Sequence, residues 1–210
     1  MKQQILHIHG GETFRTYEEY LKFLKEYKFD LKKFENKKKD WVKHLQEDLG
    51  DNYQVIRPIM PNARNAKYTE WKIWLEKYFP YLKDNIILTC KSLGGTFWVK
   101  YLSENKFPVK ISQLHLVAAP FDNENCVSPK EKDYDLINFN HNGNLSLIEK
   151  QVSKIFIYHS KDDDVVTFES LTKFAKALPS AKTFTFENYG HFSIENFPEI
   201  LKLIKQNKYE

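Results

Sequence analysis

Six short apolar runs punctuate the chain, at Ile5–His9, Tyr53–Arg57, Asn85–Cys90, Ser112–Ala118, Lys154–His159 and Lys182–Glu187. Each is too short for a typical helix and too continuously apolar for a half-solvated strand, which predicts strands buried on both faces. Between the runs the period changes. Trp71, Trp74, Leu75 and Tyr78 fall at i, i+3, i+4 and i+7, and Leu171, Phe174, Ala175 and Leu178 repeat that spacing, so each segment predicts a helix that buries one face. Asp40 can cap a helix carrying Trp41, Val42, Leu45 and Leu49, with Gly50 to end it. Strands alternating with one-faced helices predict an α/β fold, a mostly parallel sheet covered on both sides.

Two segments break the alternation. Glu12–Lys39 opens with Thr16 and Glu19 at capping-box spacing, continues as a helix through Tyr17, Tyr20, Leu21 and Leu24, and ends in Lys37–Lys39, which reads as a helical insertion. Phe121–Asn144 is rich in Asn, Asp and Lys, contains Asn142-Gly143, and reads as a long polar loop. With 210 residues, 41% of them hydrophobic and 15% aromatic, the chain can bury a full core and is expected to form one domain.

The formal charge of +4 comes almost wholly from lysine, because Arg15, Arg57 and Arg64 are the only arginines. The lysines interleave with glutamates on helical segments and form no basic stripe, which argues against nucleic-acid binding. "MKQQILHIHGG" has too short an apolar run for a signal peptide, and no run approaches the roughly 18 apolar residues of a membrane span. Two cysteines, Cys90 in a core element and Cys126 in a polar stretch, make no disulfide framework. A soluble cytoplasmic protein is the expectation.

The stretch "ILTCKSLGGTFWVKYL", Ile87–Leu102, passes from strand to amphipathic helix with Ser92 at the junction. Such a turn lifts a serine hydroxyl above the sheet edge, and strand and helix then nearly collide, so small residues are needed two before and two after the serine. Gly94 meets the second requirement and Cys90 the first only in part. Alone, the pattern also fits a helix N-cap serine followed by glycines for close packing. The rest of the chain supplies what a serine nucleophile lacks, a histidine to take its proton and a carboxylate to orient that histidine. "HSKDDDVVTFES" places an acidic cluster after the fifth strand, and "FTFENYGHFS" places His191 after the sixth. In a parallel sheet both loops open at the carboxyl edge where Ser92 stands.

"HGG", "KSLGG", "SKDDDVV" and "GHF", in that order from His9 to His191, resemble the α/β-hydrolase superfamily. Within it the chain resembles the small serine hydrolases of the YdeN-like, retinoblastoma-binding-protein type. The resemblance implies a six-stranded sheet of order 2-1-3-4-5-6, without the superfamily's leading antiparallel strands since nothing precedes Ile5. It implies a triad of Ser92, Asp163 and His191, with Asp162 the alternative acid. It also implies oxyanion amides from Leu93 and from Gly11 or Glu12. The expected activity is hydrolysis of a carboxylic ester through an acyl-enzyme, with no cofactor and a small-molecule ester or related acyl partner. Thioesters, lactones and small peptides share that chemistry, and a catalytically silent binding protein on the same scaffold is the rival reading. Oligomeric state and substrate identity are not legible.

The chain departs from the family pattern at Cys90-Lys91, where Gly-His is usual. Cys90 reads as a small buried hydrophobe, and Lys91 as reaching solvent, a neighbouring carboxylate or an acidic substrate. His7 and His9 form an H-x-H pair with no further ligands at metal-site spacing. His141 reads as a surface-loop histidine, and His115 and His159 as satisfied core or rim residues.

Overall fold

The computed structural model describes residues 2–28, 40–126 and 136–206. All six apolar runs form strands: β1 Gln3–Ile8, β2 Tyr53–Ile56, β3 Ile86–Lys91, β4 Ile111–Val117, β5 Val152–Ser160 and β6 Lys182–Phe186. They pair in parallel throughout, in the order β2-β1-β3-β4-β5-β6. Every strand therefore ends at the same sheet edge, and each return requires a crossover. Among the described residues the helices are α1 Tyr17–Glu26, α2 Trp41–Leu49, α3 Tyr68–Glu76, α4 Leu93–Glu104, α5 Ser146–Gln151, α6 Glu169–Ala177 and α7 Pro198–Gln206.

The strands are apolar without alternation because successive side chains enter two different cores. Leu6, Ile8, Leu88, Cys90 and Leu116 pack on one face with Trp71 and Phe97. Ile5, Ile87, Val117 and Tyr158 pack on the other with Trp41, Leu45, Phe197 and Ile200. The Asp40 carboxylate accepts from the Val42 amide at 3.2 Å to start α2, and Gly50 closes its far end onto the Gln46 and Glu47 carbonyls. No helix among the described residues is long and apolar enough to cross a membrane.

One helical stripe differs from the sequence reading. In α3, Trp71 and Leu75 are buried but Trp74 is 44% exposed. Of the two tryptophans, Trp71 meets the body, its indole donating to the Pro61 carbonyl at 2.8 Å and its ring meeting Phe97 and Phe139 edge-on. In α1 the capping box of Thr16 and Glu19 forms, and the buried residue is Phe23, 5.1 Å from the Phe14 ring, while Tyr17, Leu21 and Leu24 are exposed. Lys37–Lys39 lie outside the described residues. The described flanks of the long polar loop contain short 3-10 turns at Asn123–Asn125 and Leu136–Asn138, and Leu136 and Phe139 enter the core.

Candidate active site

β3 ends at Lys91 and α4 begins at Leu93, so Ser92 makes the whole turn. It does so at φ 54° and ψ −127°, a left-handed conformation that costs a non-glycine residue on the order of 1–3 kcal/mol. Hydrogen bonds hold it there: the Ser92 amide donates to the Val117 carbonyl at 2.9 Å, and the Gly95 amide donates to the Ser92 carbonyl at 2.8 Å. Gly94 permits the geometry, because a Cβ there would lie 2.4 Å from the Ile8 carbonyl oxygen and 2.7 Å from that of His9. The start of α4 thus sits directly against the end of β1. Leu93, as the first helical residue, has an N–H outside the ladder of α4.

Cys90 is fully buried and its Sγ donates to the His115 carbonyl at 3.2 Å. Burial pushes the thiol up to about 12, so it is a packed neutral group at physiological pH. Lys91 reaches the loop that follows β6. Its Nζ donates to the Phe192 carbonyl at 3.1 Å and the Ser193 hydroxyl at 3.3 Å, because the end of β3 stands beside the loop that carries His191.

Of the three loop aspartates, Asp163 meets the imidazole. His191 Nδ1 lies 2.9 Å from Asp163 Oδ2 and 3.1 Å from Oδ1, and Oδ1 also accepts from the Val165 and Val166 amides, each at 2.9 Å. The Asp163 side chain has no solvent exposure and that of His191 has 15%, so the carboxylate is reached through the imidazole. A carboxylate on Nδ1 fixes the tautomer with its proton there and leaves Nε2 as the unprotonated nitrogen of the neutral ring. His159 stands 3.6 Å from Asp163 on its other side, donates from Nε2 to the Val166 carbonyl at 3.0 Å, and is held below the ordinary histidine value by burial. Asp162 turns away from the imidazole, to the Gly190 amide and the Ser160 hydroxyl. Asp164 is exposed.

Ser92, Leu93, Gly11 and His191 line one cavity of about 1300 Å³, with Lys91, Arg57, Val165 and Ile194 among its other walls. Cys90 is not among the lining residues. The Glu12 amide donates to the Ala63 carbonyl at 2.8 Å, which leaves Gly11 as the amide of that pair not engaged in this bond. His7 and His9 are each occupied: His7 Nδ1 with the Thr89 hydroxyl at 3.0 Å, His9 Nδ1 with the Gly10 carbonyl at 2.6 Å, and His9 Nε2 accepting from the Met60 amide at 2.9 Å. Among the described residues no group of three His, Cys, Asp or Glu could hold a metal ion. His115 is a satisfied core residue, and His141 is partly buried against Phe121 instead of lying on the surface.

Ser160 had no role in the sequence reading, and the contacts of Asp162 with the Gly190 amide and of Lys91 with the Phe192 carbonyl were not among those it offered. Each has a partner in the loop that follows β6, and no periodicity or spacing signals such pairing.

A parallel sheet of this order with a strand–serine–helix turn at its carboxyl edge is the α/β-hydrolase architecture. The serine hydrolase family profile matches residues 34–206, and the chain belongs to that family of hydrolases. Among solved structures the chain is similar to the ydeN gene product of Bacillus subtilis, at 17% identity and TM-score 0.67 over 100% of both chains. It is similar also to a YdeN-like hydrolase from Pectobacterium atrosepticum, at 15% identity and TM-score 0.61 over 98% of this chain and 90% of that one. A meta-cleavage product hydrolase from Pseudomonas fluorescens matches at 13% identity and TM-score 0.63, over 98% and 90%. At these identities the likeness is one of fold. Comparison with curated proteins by sequence finds no match.

Proposed function

We propose that the protein hydrolyses a small carboxylic ester through an acyl-enzyme on Ser92. The observation that carries this reading is the 2.9 Å contact of His191 Nδ1 with the buried Asp163 carboxylate, in a loop that shares a cavity with Ser92. Nδ1 being taken, Nε2 is the nitrogen left for the serine. In the acylation step Ser92 Oγ attacks the ester carbonyl carbon as its proton passes to His191 Nε2. The carbonyl becomes an oxyanion, which the amides of Leu93 and Gly11 receive. As the C–O bond to the leaving group breaks, His191 returns the proton to the departing alcohol. Water then attacks the acyl-serine, gives its proton to His191, and the acid leaves with Ser92 restored. Asp163 keeps its charge throughout and stabilises the imidazolium formed in both halves.

Thioesters, lactones and small amides fit the same steps, because the residues define acyl transfer and not the leaving group. An inert scaffold with a distorted elbow finds no support in the geometry, since Cys90 packs inward without displacing Ser92 from its hydrogen bonds to Val117 and Gly95. The test is rapid mixing with p-nitrophenyl esters of rising acyl length. A burst of nitrophenol equal to the enzyme concentration supports the acyl-enzyme. Absence of turnover across esters, thioesters, lactones and aminoacyl amides by folded protein contradicts the reading.

A further inference from the structure

The structure assigns Asp162 and Lys91 a shared task as positioning residues for His191: they grip the backbone on its two sides, from the ends of two different strands. This rests on the triad reading above and adds two residues to it.

Gly190 donates its amide to both oxygens of Asp162, at 3.1 and 3.2 Å. Asp162 Oδ1 also accepts from the Ser160 hydroxyl, whose oxygen in turn accepts from the Tyr189 amide at 3.1 Å. The two consecutive amides immediately before His191 are thus fixed to the acid loop by two side chains. Gly190 stands at φ 48°, where a glycine lets the chain turn its amide toward Asp162. On the other side of His191, Lys91 Nζ holds the Phe192 carbonyl at 3.1 Å and the Ser193 hydroxyl at 3.3 Å. Phe192 itself is at φ 50° with its ring fully buried.

Asp162 directs its charge at backbone N–H and hydroxyl donors. Such charge-assisted bonds are roughly twice as strong as neutral ones. The Ser160 hydroxyl, then the Gly190 amide, hold the Asp162 carboxyl below the usual carboxylate range, as expected of an acceptor of this kind. The adjacent aspartates therefore divide one job: Asp163 orients the ring and Asp162 orients the chain that bears it. Lys91 does from β3 what Asp162 does from β5. His191 has to serve Ser92 in acylation and water in deacylation from one position, and a displacement of about 1 Å costs on the order of 10²-fold in rate.

The experiment measures kcat and KM on one chromogenic ester, with active sites counted by end-point fluorophosphonate labelling, together with hydrogen exchange at the Gly190 amide. Asp162→Ala is expected to lower kcat per labelled site by about 30- to 100-fold with KM kept within about threefold, and to speed Gly190 exchange. Asp162→Asn keeps an acceptor oxygen within reach of both donors and should lose only about three- to tenfold. Lys91→Met should lose about tenfold, also in kcat. Lys161→Met is the control. Lys161 pairs with Glu187 at 2.6 Å on the surface and bridges the same two loops without touching a neighbour of His191, so its kcat should stay within about twofold. Asp162→Ala with the kcat per labelled site of the parent, or a loss confined to KM, overturns the proposal. So does a loss no larger than that of Lys161→Met. If Asp162→Ala does not fold, Asp162→Asn and Ser160→Ala carry the same comparison. Turnover that survives Ser92→Ala overturns the triad reading and this proposal with it, whereas a labelled, Ser92-dependent enzyme indifferent to Asp162 overturns the proposal alone.

Discussion

The turn at Ser92 and the paired loops at Asp163 and His191 stand at one sheet edge and are built by opposite means. The turn is held by crowding: Gly94 leaves no room for a Cβ between α4 and the carbonyls of Ile8 and His9, and Cys90 is sealed in the core beneath. The loops are held by hydrogen bonds from side chains to backbone, with Asp163 receiving the Val165 and Val166 amides and Asp162 that of Gly190. A crowded turn is fixed by what is absent from the sequence and resists any enlargement. A hydrogen-bonded loop is fixed by what is present and resists removal of single polar atoms. The two regions should therefore fail differently.

The largest expected effect is common to both. Ser92→Ala and His191→Ala should each lower kcat by on the order of 10⁴-fold or more with folding intact, and the double variant should be no worse than either single one, as for groups that act together. Additive losses measured on one ester would show that the two regions do not form one site.

Asp163→Asn comes next and tests the hydrogen-bonded side. It keeps the side-chain shape but replaces one acceptor oxygen by a donor, so the tautomer of His191 is no longer enforced, and kcat should fall by on the order of 10³- to 10⁴-fold with little change in thermal midpoint. Gly94→Ala tests the crowded side and should do the reverse. A methyl 2.4 Å from a backbone oxygen forces α4 off the sheet, which should cost about 3 kcal/mol or more of stability, read as a lower urea midpoint or as loss of soluble protein. A stable, inactive Gly94→Ala beside an unfolded Asp163→Asn would invert the comparison.

How much of this was legible follows the same division. The six strands, their order by resemblance, the cap at Asp40 and the small residue at Gly94 could be read because periodicity and steric need leave a mark on residue type. Trp74 was misjudged because an apolar stripe says that a face can be buried, not that a neighbour stands there to bury it. Ser92 and His191 stood out by motif. Asp163 could be separated from Asp162 only by resemblance, since three consecutive aspartates have no period. Which of them meets an imidazole and which a backbone amide depends on where a loop from another strand arrives. The same holds for Lys91, whose partners at Phe192 and Ser193 are a hundred residues away in the chain.

Acid provides a smaller perturbation, directed at the packed sheet. Burial holds His7 and His115 down to about 3 in the folded protein, against an ordinary histidine value of about 6.5. His115 is satisfied as a neutral ring between the Gln113 side chain at 2.7 Å and the Tyr158 hydroxyl at 2.8 Å. The folded values are depressed, so between those limits the unfolded chain binds more protons than the folded one. The stabilisation is complete above about pH 6.5 and is lost as pH falls toward 3, by about 1.4 kcal/mol per pH unit for each histidine. The urea midpoint should therefore drop steadily from pH 7 to pH 5. A midpoint that stays level would mean that these rings are hydrated or charged in the fold.

The smallest effect is expected at Cys90. Cys90→Gly restores the commoner residue at that position and should leave kcat within about tenfold, since the thiol contributes packing and no proton transfer. With the thiol pushed up to about 12, alkylating reagents at neutral pH should inactivate slowly or not at all.

The central claim is that Ser92 is the nucleophile and that His191 activates it. Mass spectrometry of the peptides after reaction with a fluorophosphonate tests this most directly. One adduct per chain is expected, on Ser92, absent from Ser92→Ala and formed at least about 10³-fold more slowly in His191→Ala. An adduct on another residue, undiminished labelling of Ser92→Ala, or no adduct on the folded parent protein would contradict it.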